Sequence, residues 1–179
     1  MRTTTLRVLA LFVAAGAVSA CGGSEPSTLV RPAGVPAGMV PATVADGLTM
    51  TEFAPARARF ASAGETSLVA DGRVWAIRKG QTLVGTLQIS TVKPDVSVTK
   101  SEDRKAIVGG VMTGIAFETV DVGDTKVIAS TAADKSLYLW FGPGLFEVLQ
   151  VKSTKVDPDE IAAELIEFQQ GTGRLGVHR

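Results

Sequence analysis

The sequence predicts an α+β domain: an antiparallel sheet of about six to seven strands with two helices packed on one face. Three observations predict it. From about Leu48 the chain is a series of short β-prone runs, each closed by a turn signal. Residues 100–112 and 158–170 instead carry helix-start signals. Sliding the chain on itself by 62 residues aligns Gly80 with Gly142, Leu83 with Leu145, and Leu87-Gln88 with Leu149-Gln150. That echo suggests a pseudo-duplicated hairpin–helix unit, with a further hairpin between the copies.

In chain order, residues 22–46 come first among the segments that follow the N-terminal 21. Pro26, Pro32, Pro36 and Pro41 remove backbone donors, and the interspersed glycines raise the entropic cost of ordering. The expectation is a flexible tether over 21–46, a single domain over 47–171 and a flexible tail over 172–179. The first strands are expected at 67–70 and 73–78, joined by an Asp71-Gly72 type I′ turn. Lys79-Gly80-Gln81 then turns into a longer strand, 82–92. Four more follow at 115–122, 126–131, 136–141 and 145–152, separated by Gly123-Asp124, Ala133-Asp134-Lys135 and Gly142-Pro143-Gly144. Tight turns of this kind imply antiparallel pairing.

The second helix has the clearer signature. Asp157 is placed to cap it, Pro158 occupies the first turn where no donor is lost, and Gly171 supplies a stop. Ile161, Leu165 and Phe168 share one face, opposite Glu160, Glu164 and Glu167. The first helix follows Thr99 with Glu102 three residues on, a capping-box spacing. Its Gly109-Gly110 pair weakens it by about 1 kcal/mol per glycine relative to alanine.

The N-terminus carries an address. Arg2 and Arg7 precede an uncharged apolar run from Val8 to Val18, and small residues lead to Cys21, the sole cysteine. This is the layout of an export signal, and it is shorter than the ~20 apolar residues a membrane-spanning helix needs. A plain secretory signal shares the small-residue cleavage site. A lone cysteine at the junction, however, cannot form an internal disulfide and calls for another role. Val18-Ser19-Ala20-Cys21 resembles the lipobox of bacterial lipoproteins. The resemblance implies removal of residues 1–20, lipidation of Cys21, and residence on the extracytoplasmic face of the cell membrane. It covers the first 21 residues and carries location, not activity.

Charge and residue inventory bound the function. Removing residues 1–20 takes away two arginines and no acid, leaving a slight acidic excess. That balance argues against nucleic acid, whose phosphates demand a basic face. Membrane attachment would come from the lipid alone. His178, the single histidine, lies in a Gly-rich terminus where a general base is poorly held. Metal sites lack their usual His and Cys ligands. Glu118, Asp121 and Asp124 cluster near a turn, but in a strand Glu118 and Asp121 point to opposite faces. No catalytic residue, metal site or cofactor is therefore assigned.

Binding signals centre on 137–141, which is nearly all apolar. Tyr138 and Trp140 share one face of that strand and, with Trp75, form the candidate binding patch; the alternative is that these rings close the core. Arg57, Arg59, Arg73, Arg78 and Lys79 give the first half some basic character. The expected function is a non-catalytic protein-interaction module at the envelope, docking a protein partner. The alternative is a carrier or sensor for a small hydrophobic molecule or lipid, held between sheet and helices.

Overall fold

The computed structural model describes residues 34–53, 68–132, 134–152 and 156–173. Eight strands and two helices follow one another: β1 (Thr43–Val44), β2 (Leu48–Glu52), β3 (Val69–Lys79), β4 (Thr82–Val92), α1 (Ser101–Val111), β5 (Glu118–Val122), β6 (Thr125–Thr131), β7 (Ser136–Gly142), β8 (Leu145–Val151) and α2 (Pro158–Gly171). The strands form one antiparallel sheet in the order β1-β2-β3-β4-β8-β7-β6-β5. The class is α+β, with eight strands where six to seven were expected.

The difference in count arises before residue 80. Asp71-Gly72 makes no hairpin turn; it lies inside β3, beside a register shift between Val69 and Asp71 that leaves Ala70 unpaired. The Asp71 carboxylate accepts a bond from the Gly72 amide at 2.9 Å, and Gly72 is buried, so the dipeptide bulges the strand instead of reversing it. The true reversals sit at glycines in the left-handed region: Gly80 (φ 59°) between β3 and β4, Gly123 (φ 57°) between β5 and β6, and Gly144 (φ 68°) after Pro143 between β7 and β8.

The expected boundary at residues 46 and 47 also moves. Val35, Met39, Val44 and Ala45 are buried, and they join the core with Leu48 and Met50. The Ala45 amide donates to Glu164 of α2 at 2.6 Å, a residue that the helical pattern placed on the solvent side. The ordered domain therefore includes residues from Gly34 onward. Proline-rich composition marked this segment as irregular, which it is; its few apolar residues were enough to pack it down.

Both helices begin close to their expected positions, with different caps. Asp157 accepts from the Asp159 and Glu160 amides at 2.9 and 3.4 Å, with Pro158 at the first helical position. At α1 the capping box does not form: Lys100 is the N-cap and offers no side-chain bond. Asp103 instead reaches back to the Ser97 amide at 2.8 Å and fixes the entering chain.

The helices lie on opposite faces, not one. On β7, Tyr138 and Trp140 join the cluster that holds Ile161, Leu165 and Ile166 of α2. The alternate residues Leu137 and Leu139 join Ile107, Val108 and Met112 of α1 and its C-cap. Alternation along a strand makes these opposite faces. The 62-residue echo aligns residues that neighbour each other in the sheet. Leu87 of β4 pairs directly with Leu149 of β8, so the two halves of the sheet meet at the residues that the echo equates.

Where β4 meets β8 the backbones approach closely. A Cβ on Gly85 would lie 2.7 Å from the Gln150 carbonyl oxygen, and Val84 stands as an extra residue beside it between two register positions. Gly85→Ala is expected to destabilise the fold by about 1–3 kcal/mol, the usual cost of forcing atoms into a packed site. Chemical denaturation followed by circular dichroism measures it; an unchanged midpoint would contradict the close approach.

Candidate functional site

The aromatic residues singled out from sequence are brought together, but inside the protein. Trp75, Tyr138 and Trp140 retain 8%, 2% and 0% of their exposure and lie on the face covered by α2. Trp75, Leu87, Leu149 and Tyr138 form one continuous cross-strand row. They are core residues, and the expected exposed patch is not formed by them. The physical reason is the second cover: α2 and residues 34–48 together occupy the face that the rings line. Tyr138 keeps a polar handle, donating from its hydroxyl to Asp159; burial first, then that carboxylate, pushes the phenol pKa upward. Cys21 and His178, like Arg57 and Arg59, lie outside the described residues.

The same face hides a carboxyl group. Glu147 on β8 is wholly buried, and one of its oxygens accepts from the Gln169 amide nitrogen of α2 at 2.8 Å. That nitrogen also donates to the Met39 carbonyl at 3.2 Å, so one amide ties sheet, helix and the 34–48 segment together. Trp140 stands directly across the strand pair from Glu147. Desolvation drives the Glu147 pKa up to about 8, restrained by the Gln169 amide and the Trp140 indole. Burial thus favours the protonated, neutral carboxyl near pH 7, with one oxygen bonded to Gln169. Glu147 is wholly buried, and among the described residues it packs the sheet against α2 through Gln169.

The accessible concavity lies on the other face. A groove of about 540 Å³ runs between α1 and the β5–β6 side of the sheet, within the range of small-molecule sites. From α1 come Arg104 and Lys105, then Val108 and Gly109 one turn on; from the sheet come Thr119, Lys126, Ile128 and Phe141. Phe117, 51% exposed, stands at one end, and exposed Ile115 precedes it in the same connection. The guanidinium of Arg104 lies 4.4 Å from the Phe141 ring centre. Lys126 pairs with Asp121 at 2.6 Å, but both are largely exposed, so the pair is weak. No carboxylate lines the groove. Across α1 a smaller groove of about 370 Å³ is floored by Val69, Gln88 and Phe146.

Other polar candidates find structural duties. Arg73 pairs with Glu52 and sits over the Trp75 ring. Glu118 and Asp121 occupy opposite faces of β5, as strand alternation required. Among the described residues no group of three His, Cys, Asp or Glu side chains is placed to hold a metal. The groove itself escaped sequence reasoning because its residues come from a helix, two connections and three strands. The one signal that could have pointed to it was Arg104-Lys105 followed by an apolar helical turn at Ile107-Val108. No family model, characterised protein or solved structure matches the chain, so the groove is read from its own chemistry.

The Glu147 carboxyl makes a pH signature. Its folded pKa lies above the ordinary value of 4.5, so the folded state holds a proton that the unfolded state releases. This group's contribution to stability is therefore full below about pH 4.5 and is lost as pH rises toward about 8. Glu147→Gln, which keeps the shape without the titration, is expected to flatten that decline. Denaturation midpoints of both proteins at pH 5, 7 and 9 check this; parallel profiles would refute it.

Proposed function

We propose that this chain is a lipid-anchored, extracytoplasmic lipoprotein whose domain works without catalysis, by holding an amphipathic small molecule in the groove beside α1. The observation that carries the reading is the groove: an apolar floor of Val108, Ile128 and Phe141, open to solvent, with cationic side chains at its rim. Such a site binds by apolar burial and orients its ligand by a few polar groups. The lipobox-like residues ending at Cys21 support an envelope location, and the weakly acidic composition is compatible with it. The strand-level echo supports descent from a duplicated hairpin–helix unit.

A protein-interaction module is the second reading. Burial of Trp75, Tyr138 and Trp140 removes its original support. It keeps one observation in its favour: Ile115 and Phe117 stand exposed next to each other in the α1–β5 connection.

Gly109 provides a clean test. A Cβ there meets nothing within 4 Å, so a larger side chain projects into open space at the groove wall while improving helix propensity. Protein purified from its native envelope is expected to carry a reproducible extra mass in native mass spectra, lost on denaturation. Gly109→Leu is expected to abolish it without lowering the melting temperature. A bare wild-type mass, or an adduct retained by the variant, overturns the groove reading. Separately, Cys21→Ser is expected to move the protein from the membrane to the soluble fraction; retention at the membrane rules out the lipid anchor.

A further inference from the structure

We infer that the groove takes a single acyl chain with an anionic headgroup, its head at the Arg104–Lys126 end and its chain running toward Phe117; this rests on the groove reading above. The argument begins with the register of the walls. Thr119 pairs with Ile128 and Asp121 with Lys126, so Lys126 and Ile128 are two residues apart on one face of β6, roughly 7 Å along the strand. Ile128 in turn pairs with Leu139, which sets Phe141 toward the Lys126 end. Arg104 lies over Phe141 and so occupies that same end, with Lys105 beside it. One helical turn on, Val108 also lines the groove, as Ile128 does from the sheet. The three cations thus gather at one end of the groove, around the Phe141 ring, and none lies at the other, where Ile128 and Phe117 are.

The cations are available to a ligand. Among the described residues Arg104 and Lys105 enter no ion pair, and Lys126 pairs with Asp121 on the same sheet face, a pair that is largely exposed and therefore weak. Residues 54–67 hold Arg57 and Arg59 against Glu65, residues 174–179 hold Arg174 and Arg179 and no acid, and 22–33 balance Glu25 with Arg31. None of these stretches carries an acidic excess, which favours an anionic occupant from outside the chain. A volume of about 540 Å³ beside a one-helix wall suits one chain better than two.

Titration of the purified full-length chain, read by native mass spectrometry, separates the elements of the inference. Four probes are used below their micellar concentrations: lysophosphatidylglycerol, oleate, lysophosphatidylcholine and inorganic phosphate. One-to-one binding of the two anionic acyl probes is expected, at least ~10-fold tighter than the zwitterionic lipid, with phosphate alone far weaker. Arg104→Gln combined with Lys126→Gln is expected to bring lysophosphatidylglycerol down to the level of lysophosphatidylcholine. Unchanged lysophosphatidylcholine affinity certifies that this variant is folded. Equal binding of both lysolipids, blocked by Gly109→Leu, overturns the headgroup assignment and leaves the groove reading standing. Phosphate binding as tightly as lysophosphatidylglycerol overturns the acyl assignment. Absence of any acyl binding, or binding indifferent to Gly109→Leu, overturns both.

Discussion

The constraint on which the structure depends is that an interior strand, β7, is apolar on both sides. In β7, Leu137, Tyr138, Leu139 and Trp140 are all buried, and alternation sends them to opposite faces. A sheet that holds such a strand in its interior cannot leave either face of that strand to water. One helix must go to each side. An α-helix covers a band about 10–12 Å wide, whereas eight strands at ~4.8 Å spacing span roughly 34 Å. On the α2 face, residues 34–48 widen the cover and the core closes. On the α1 face, the described residues include no such second cover, and the helix is flanked by two grooves. The candidate site follows from the division of covering material between the faces.

On the closed face the polar groups act as pins. Gln169 contacts Glu147 and Met39 through one amide nitrogen, while Glu164 takes the Ala45 amide. These bonds fix the rotation of α2 and the path of the preceding segment, which apolar packing alone specifies loosely. A charged carboxylate at this depth would cost more than these contacts return. A neutral carboxyl avoids most of that cost, which is why desolvation dominates the Glu147 pKa. The opposite face is the reverse case. Its charges sit at a rim, solvated and largely unpaired, where they can recognise something without destabilising the fold.

What was legible in the sequence was local. The α2 cap at Asp157, the turns at Gly80, Gly123 and Gly144, and the strands of the second half all follow from backbone chemistry within a few residues. What was not legible depends on partners far along the chain. Asp71-Gly72 has hairpin chemistry, yet pairing of β3 along the whole of β4 overrides it. Val35 and Met39 gain their meaning from α2, more than a hundred residues later. The aromatic residues were correctly assigned to one face, but the covering of that face was a tertiary fact. The groove, assembled from six separate segments, had only a faint trace in the Arg104-Lys105 turn.

The broken symmetry of the fold ties these points together. An axis normal to the sheet between Leu87 and Leu149 exchanges β4 with β8 and keeps their antiparallel sense. Applied to the helices, the same rotation would leave both on one face, because turning about a normal never exchanges the faces. Instead α1 departs to the opposite side after a connection of residues 93–100 that includes Pro94, while α2 follows the shorter connection 152–157. Had α1 obeyed the strand symmetry, the outer sides of Leu137 and Leu139 would have been left to water. Crossing over buries them beneath Ile107 and Val108, but a single helix of eleven residues cannot reach β5 and β6 as well. The space beside it, bordered by Arg104 and Lys126, is the unfilled remainder of that crossing.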